Sequence, residues 1–199
     1  RMPAAHGAIL FSEVGATLYE RAGFEPLHLF DRVLPAKAGA PVGARSFADG
    51  EVATALARFP APDDELVIWP TAEQIDWHLE RARFYAEALG RRLPTCGVEL
   101  GDTRARALWC ADYKNDRLAV LLASAPDAAA GAELVRAAQD AAAAAGLAEV
   151  RIWETPSLPL PDDLGRRISR DDDALPMLHP FVEGLHAAAW RNVPRALWL

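Results

Sequence analysis

The 199-residue sequence is poor in cysteine and lysine, with two of each. Two cysteines, Cys96 and Cys110, are too few for a disulfide scaffold or a zinc site, and a reduced cytoplasm is the simple expectation. No apolar run approaches the roughly 18–20 residues of a membrane span. The opening stretch, RMPAAHGAILF, lacks the basic region and long apolar core of a secretory signal. Positive charge is in deficit as well: 21 Lys+Arg against 28 Asp+Glu leave a net charge of -7. That balance argues against nucleic acid or an anionic membrane as the main partner. Residues 1–62 are neutral overall, so the acidic excess lies in residues 63–199. What is abundant is apolar side chain, at 51% against 25% charged, which is the composition of a globular chain. The preference for arginine over lysine reads as a coding bias, and a chain that opens on Arg1 reads as a piece of a longer protein.

The first 36 residues read as strand, helix, strand. Residues 8–11 form a short apolar run, Ser12 is placed to cap the following helix, and Gly23 stops it. Residues 24–34 (FEPLHLFDRVL) alternate loosely, as a strand does. Residues 35–64 are punctuated by Pro35, Gly39, Pro41, Gly43, Gly50, Pro60 and Pro62 and read as a connector, with a short helix near 49–58. Thr71 and Gln74 form a capping box for a helix running to Gly90. Its buried stripe is Ile75, Leu79, Ala82, Ala86 and Leu89, with Trp77, Arg81, Phe84 and Ala88 beside it.

Three strand candidates follow, Cys96–Leu100, Arg106–Tyr113 and Arg117–Ser124, and short polar turns between them predict an antiparallel meander. Asp127 caps a second long helix that ends at Gly146 and buries a thin face of small residues, and residues 149–154 form another strand. Helix, three strands, helix, strand is a mixed α/β order in which the second helix crosses back over the sheet. Pro156, Pro159 and Pro161 exclude regular structure in the segment that follows. Residues 175–189 offer a short helix and the last five residues a closing strand.

The segment LFSEVGATLYERAGF resembles the end of a GNAT-type N-acetyltransferase core, where a splayed strand leads into a helix carrying Tyr-x-x-x-Gly-Phe/Trp. The WHLERARFYA helix, the ALWCADY strand, the LVRAAQDAAAAAGLAEVRIWE helix-strand and the RDDDALP tail resemble the C-terminal part of fungal lysine N-acetyltransferases. The resemblance implies a GNAT-like, antiparallel-rich mixed sheet flanked by helices, preceded by the last third of a GNAT catalytic core. On that plan residues 1–36 are a catalytic-domain remnant, 37–62 a linker and 63–199 a second GNAT-like domain.

Acetyl transfer from a thioester to an amine needs a proton donor for the leaving thiolate and a cradle for pyrophosphate. The resemblance places Tyr19 as that acid and Ser12 at the cofactor. A cradle of the form Gln/Arg-x-x-Gly-x-Gly/Ala is missing from residues 1–62. Its counterpart in the second unit, Pro126 to Ala132, has one glycine, no Arg or Gln, and a carboxylate at the helix mouth. Acetyl-CoA is therefore expected only with an upstream segment, and no metal is expected.

For a small lysine-like amine substrate, the candidate contacts are Trp77, His78, Arg81, Trp109, Trp153, Asp171 and Asp172, since an amino acid offers a carboxylate to guanidinium and an ammonium to carboxylates. Each has a structural alternative. Trp109 and Trp153 suit a strand core, Arg81 a solvated helix face, His78 a satisfied core histidine, and Asp171 and Asp172 a solvated turn. Two functional readings stand: the C-terminal portion of an N-acetyltransferase, inactive as this chain alone, or a non-catalytic binding or dimerisation module. The second draws on the strand at 8–11, which is expected to be unpartnered and to offer an edge for a homodimer.

Overall fold

The computed structural model describes residues 7–39, 41, 43–60, 69–101, 103–169 and 175–184. The long helix α3 (Ala72–Leu89) begins and ends where the sequence signals stand. The Thr71 hydroxyl accepts the Gln74 backbone amide at 3.3 Å, and the Gln74 side-chain Oε1 accepts the Thr71 backbone amide at 2.9 Å. At the other end Gly90 adopts the left-handed conformation, with φ at 61°, which glycine takes without steric cost. Ile75, His78, Ala82 and Ala86 form the buried face. Leu89, expected in that stripe, is exposed, as are Trp77 and Phe84 of the neighbouring one.

The strands β5 (Gly97–Leu100), β6 (Ala105–Asp112) and β7 (Arg117–Ser124) form the expected antiparallel meander. The helix α4 (Ala128–Ala144) then crosses back and delivers β8 (Glu149–Trp153) parallel to β7. The Asp127 carboxylate caps α4 by accepting the Ala130 amide at 2.9 Å. Residues 105–111 of β6 are buried without alternation, as in a strand covered on both faces. Leu108, Trp109, Leu118, Leu121, Val150 and Ile152 form the centre of the core, with Ile75 and Val135 packed from the helices. The architecture is a mixed α/β fold with antiparallel-rich sheets flanked by helices.

The N-terminal residues feed two sheets. β1 (Gly7–Ser12) and β2 (Glu25–Pro26) flank β10 (Leu175–Pro180) in a three-stranded antiparallel sheet. β3 (Phe30–Pro35) leaves it and inserts between β8 and β9 (Arg166–Ser169), giving a seven-stranded sheet of order β4-β5-β6-β7-β8-β3-β9. The run 24–34 is therefore two strands, divided where Leu27 turns into a small core with Trp153 and Leu178. Part of the expected connector is also built into the fold. β4 (Ala44–Ser46) pairs with β5, and a 3-10 turn at Asp49–Glu51 leads into α2 (Val52–Leu56), which buries Val52 and Ala55.

Three further expectations are corrected. Ser12 does not cap α1 (Thr17–Glu20): that helix starts at Ala16 with no side-chain cap, and the Ser12 hydroxyl donates to the Gly15 carbonyl at 2.6 Å. Residues 175–180 are a strand and not the start of a helix, because they find partners on both sides in β1 and β2. For the same reason the strand at 8–11 is not unpartnered. Residues 156–161 carry no regular structure, in keeping with their prolines. The expected closing strand at the C-terminus, and Asp171 and Asp172, lie outside the described residues.

Gly131, in the first turn of α4, gives a test of this packing. A Cβ there would stand 2.1 Å from the Pro159 carbonyl oxygen. Alanine normally stabilises a helix interior by about 1 kcal/mol over glycine, yet here the Gly131→Ala protein is expected to be less stable by about 1–3 kcal/mol. A denaturant midpoint equal to or above that of the parent protein contradicts the close approach.

Candidate functional site

Three places in the structure bear on chemistry. At the small sheet, Tyr19 is half-buried and its ring meets Phe24 edge-on at 6.0 Å. Phe24 in turn packs on His179 of β10 at 5.1 Å. Among the described residues the Tyr19 hydroxyl has no hydrogen-bond partner. The Ser12 hydroxyl is buried and engaged locally, donating to Gly15 and accepting the Val14 amide at 3.3 Å.

The start of α4 is the second place, where a GNAT-like unit would cradle pyrophosphate. Its residues do not fit that group. Asp127 takes the Ala130 amide and puts a carboxylate at the positive end of the helix, where a phosphate would need to lie. The loop 155–161 covers the same turn: the Ala125 amide donates to the Ser157 carbonyl at 2.9 Å, and Pro159 presses on Gly131. Protein backbone occupies the approach that the glycine would otherwise leave open.

That loop also forms one wall of a cleft of about 700 Å³, the third place. Arg32 on β3, Glu154 at the end of β8 and Arg167 on β9 meet there. Strand alternation sends Arg32 and Asp31 to opposite faces. Asp31 is fully buried and pairs with Arg151, while Arg32 donates from Nε to Glu154 at 2.5 Å. Its Nη1 donates to the carbonyls of Asp162 at 2.7 Å and Leu164 at 3.2 Å. Arg167 grips Glu154 through Nε at 3.0 Å and Nη2 at 2.9 Å, and its guanidinium lies 3.5 Å from the centre of the Phe30 ring. Burial alone would raise the Glu154 carboxyl, but hydrogen bonds from Arg167 and Arg32 outweigh it and hold the group below its ordinary value.

Of the residues expected to contact substrate, Trp77, His78 and Arg81 meet on α3, while Trp109 and Trp153 lie in two separate cores. Trp77 is half-exposed on α3 with the Arg81 guanidinium 5.0 Å from its ring, an arrangement of adjacent turns on one helix face. His78 is buried beside it, its ring edge-on to the Trp77 ring at 5.0 Å. Trp109 is a core residue whose indole donates to the Thr95 carbonyl at 2.6 Å. Trp153 belongs to the small core under β10. Cys110 is no nucleophile, since burial pushes its thiol up to about 12. Arg32, Glu154 and Arg167 were missed because their meeting depends on β3 pairing with β8 and β9, and no local pattern announces that. Among the described residues no three His, Cys, Asp or Glu side chains cluster as metal ligands, and no helix is long and apolar enough to cross a membrane.

With the helix, meander and crossover established, the family model described as the LYC1 GNAT-like C-terminal domain matches residues 52–197. The chain belongs to this family. Among solved structures, the LYC1-like chain is similar to a GCN5-related N-acetyltransferase from Kribbella flavida, at 14% identity and a TM-score of 0.48, over 88% of this chain and 43% of that one. It is also similar to a GCN5-related N-acetyltransferase from Sphaerobacter thermophilus, at 15% identity and a TM-score of 0.48, over 92% of this chain and 63% of that one. The LYC1-like chain thus spans less than two thirds of either structure. No curated protein matches it.

The Arg32–Glu154–Arg167 cluster makes stability depend on acid. Because the folded Glu154 carboxyl titrates below its ordinary value of 4.5, its contribution is present above that pH and is lost as pH falls through the folded value. The Glu154→Gln protein is expected to show a shallower loss of denaturant midpoint than the parent between about pH 5 and pH 3. Parallel acid profiles for the two proteins contradict a Glu154 held in its charged form.

Proposed function

We propose that this chain is the C-terminal portion of a GNAT N-acetyltransferase, and that its LYC1-like domain does not itself hold acetyl-CoA. The observation that carries this reading is the filled start of α4 within a domain whose family is GNAT-like. A domain that keeps the sheet and the crossover helix but closes the phosphate turn with its own backbone suits a supporting role beside a catalytic unit. The acceptor in this reading is a small amine, a lysine-like amino acid, as the sequence resemblance to fungal lysine N-acetyltransferases implies.

Tyr19 is the general acid of the complete enzyme in this proposal. Support comes from its place in the Tyr-x-x-x-Gly-Phe motif and from a hydroxyl that no described residue engages. Ser12, with its hydroxyl tied to the following turn, supports the backbone path at the end of β1 and does not reach for a ligand.

Calorimetry on the isolated chain is expected to show no acetyl-CoA binding at millimolar ligand, and a saturable isotherm there overturns the cofactor-free reading. In the full-length protein, Tyr19→Phe is expected to lower kcat by about a hundredfold or more with the fold intact, which is the usual worth of a positioned acid. Unchanged turnover across the pH range removes Tyr19 from that role.

A further inference from the structure

We propose that the cleft between β3, β9 and the loop 155–162 is a binding site for a small monocarboxylate with an apolar body. Arg32 carries the argument. Only 8% of its side chain is exposed, and its Nε and Nη1 are taken by Glu154 and by the carbonyls of Asp162 and Leu164. Among the described residues nothing accepts a hydrogen bond from Nη2, and it is not among the sealed polar atoms, so a rigidly held guanidinium at the cleft wall keeps one nitrogen to offer. Arg167 completes the recognition. Its Nε and Nη2 hold Glu154, its plane is fixed on Phe30, and Nη1 is left over. A planar anion meets two oriented donors that lose little freedom when it binds.

The charge balance selects the head group. Two guanidinia face the Glu154 carboxylate and the exposed Asp162 carboxylate at the rim, so the lining is neutral overall. With a neutral lining, any anion held by Nη2 is also repelled by Glu154, and that repulsion doubles for a phosphate dianion, so the site favours a monoanion. The walls select the body. Leu29, Leu158 and Leu160 join the edge of Phe30 in an apolar lining, in a volume within the usual range for small-ligand sites. The site is assembled from residues more than a hundred positions apart in sequence, and it stands whether or not the chain takes part in acetyl transfer.

The test uses hexanoate, its neutral isostere hexanamide and inorganic phosphate, each titrated into the chain by NMR with the Arg167 Nε and Thr155 amide resonances as reporters. Hexanoate is expected to shift both resonances with an affinity in the millimolar range. Hexanamide is expected to bind at least about tenfold more weakly, a difference of about 1.4 kcal/mol. Arg167→Gln, at a half-exposed position, is expected to lose about tenfold in hexanoate affinity while still folding, at a somewhat lower melting temperature because Glu154 loses one partner. Equal affinity for acid and amide, no shift at tens of millimolar hexanoate, or displacement by an equal concentration of phosphate each overturns the proposal. The acid–amide comparison needs no variant, so it decides the matter even if Arg167→Gln is destabilised.

Discussion

The insertion of β3 between β8 and β9 is the constraint on which the rest of the molecule depends. Five residues of β3 pair with β8 and four with β9. Backbone hydrogen bonding alone would leave that strand's charged side chains buried without partners, at a cost of several kcal/mol each. The sheet resolves this with one ion pair on each face, Asp31 with Arg151 and Arg32 with Glu154. Removing one partner of either pair would strand a buried charge, so these side chains fix the register of β3 as firmly as its apolar residues do.

The same insertion organises everything around the cleft. It brings Arg32 to the end of β8, where Glu154 begins the proline-rich loop. That loop then runs across the start of α4 and closes the turn at Gly131. One segment therefore does two things at once: it covers the start of α4 and walls a separate cleft. The exposed α3 stripe of Trp77, Arg81 and Phe84 takes no part in this arrangement.

Much of the scaffold was legible locally because its signals act over a few residues. The Thr71–Gln74 box, the Gly90 stop, the meander turns and the Asp127 cap each depend on side chains within four positions of the backbone groups they satisfy. The errors share a different cause. Ser12 looks like a cap until the chain after it bends back to use its hydroxyl at Gly15. Residues 175–180 look helical until β1 and β2 supply partners about 150 or more positions away, and 24–34 looks like one strand until its halves enter different sheets.

The sequence by itself determined the two long helices, the meander and the crossover, because helix caps, turns and apolar periodicity are short-range physics. Tertiary structure alone decided that β3 joins β8 and β9, that Pro159 covers Gly131, and that Arg32 and Arg167 share Glu154. Those contacts are made between residues that are neighbours only after the chain has closed on itself, so no window of sequence holds the energies that select them.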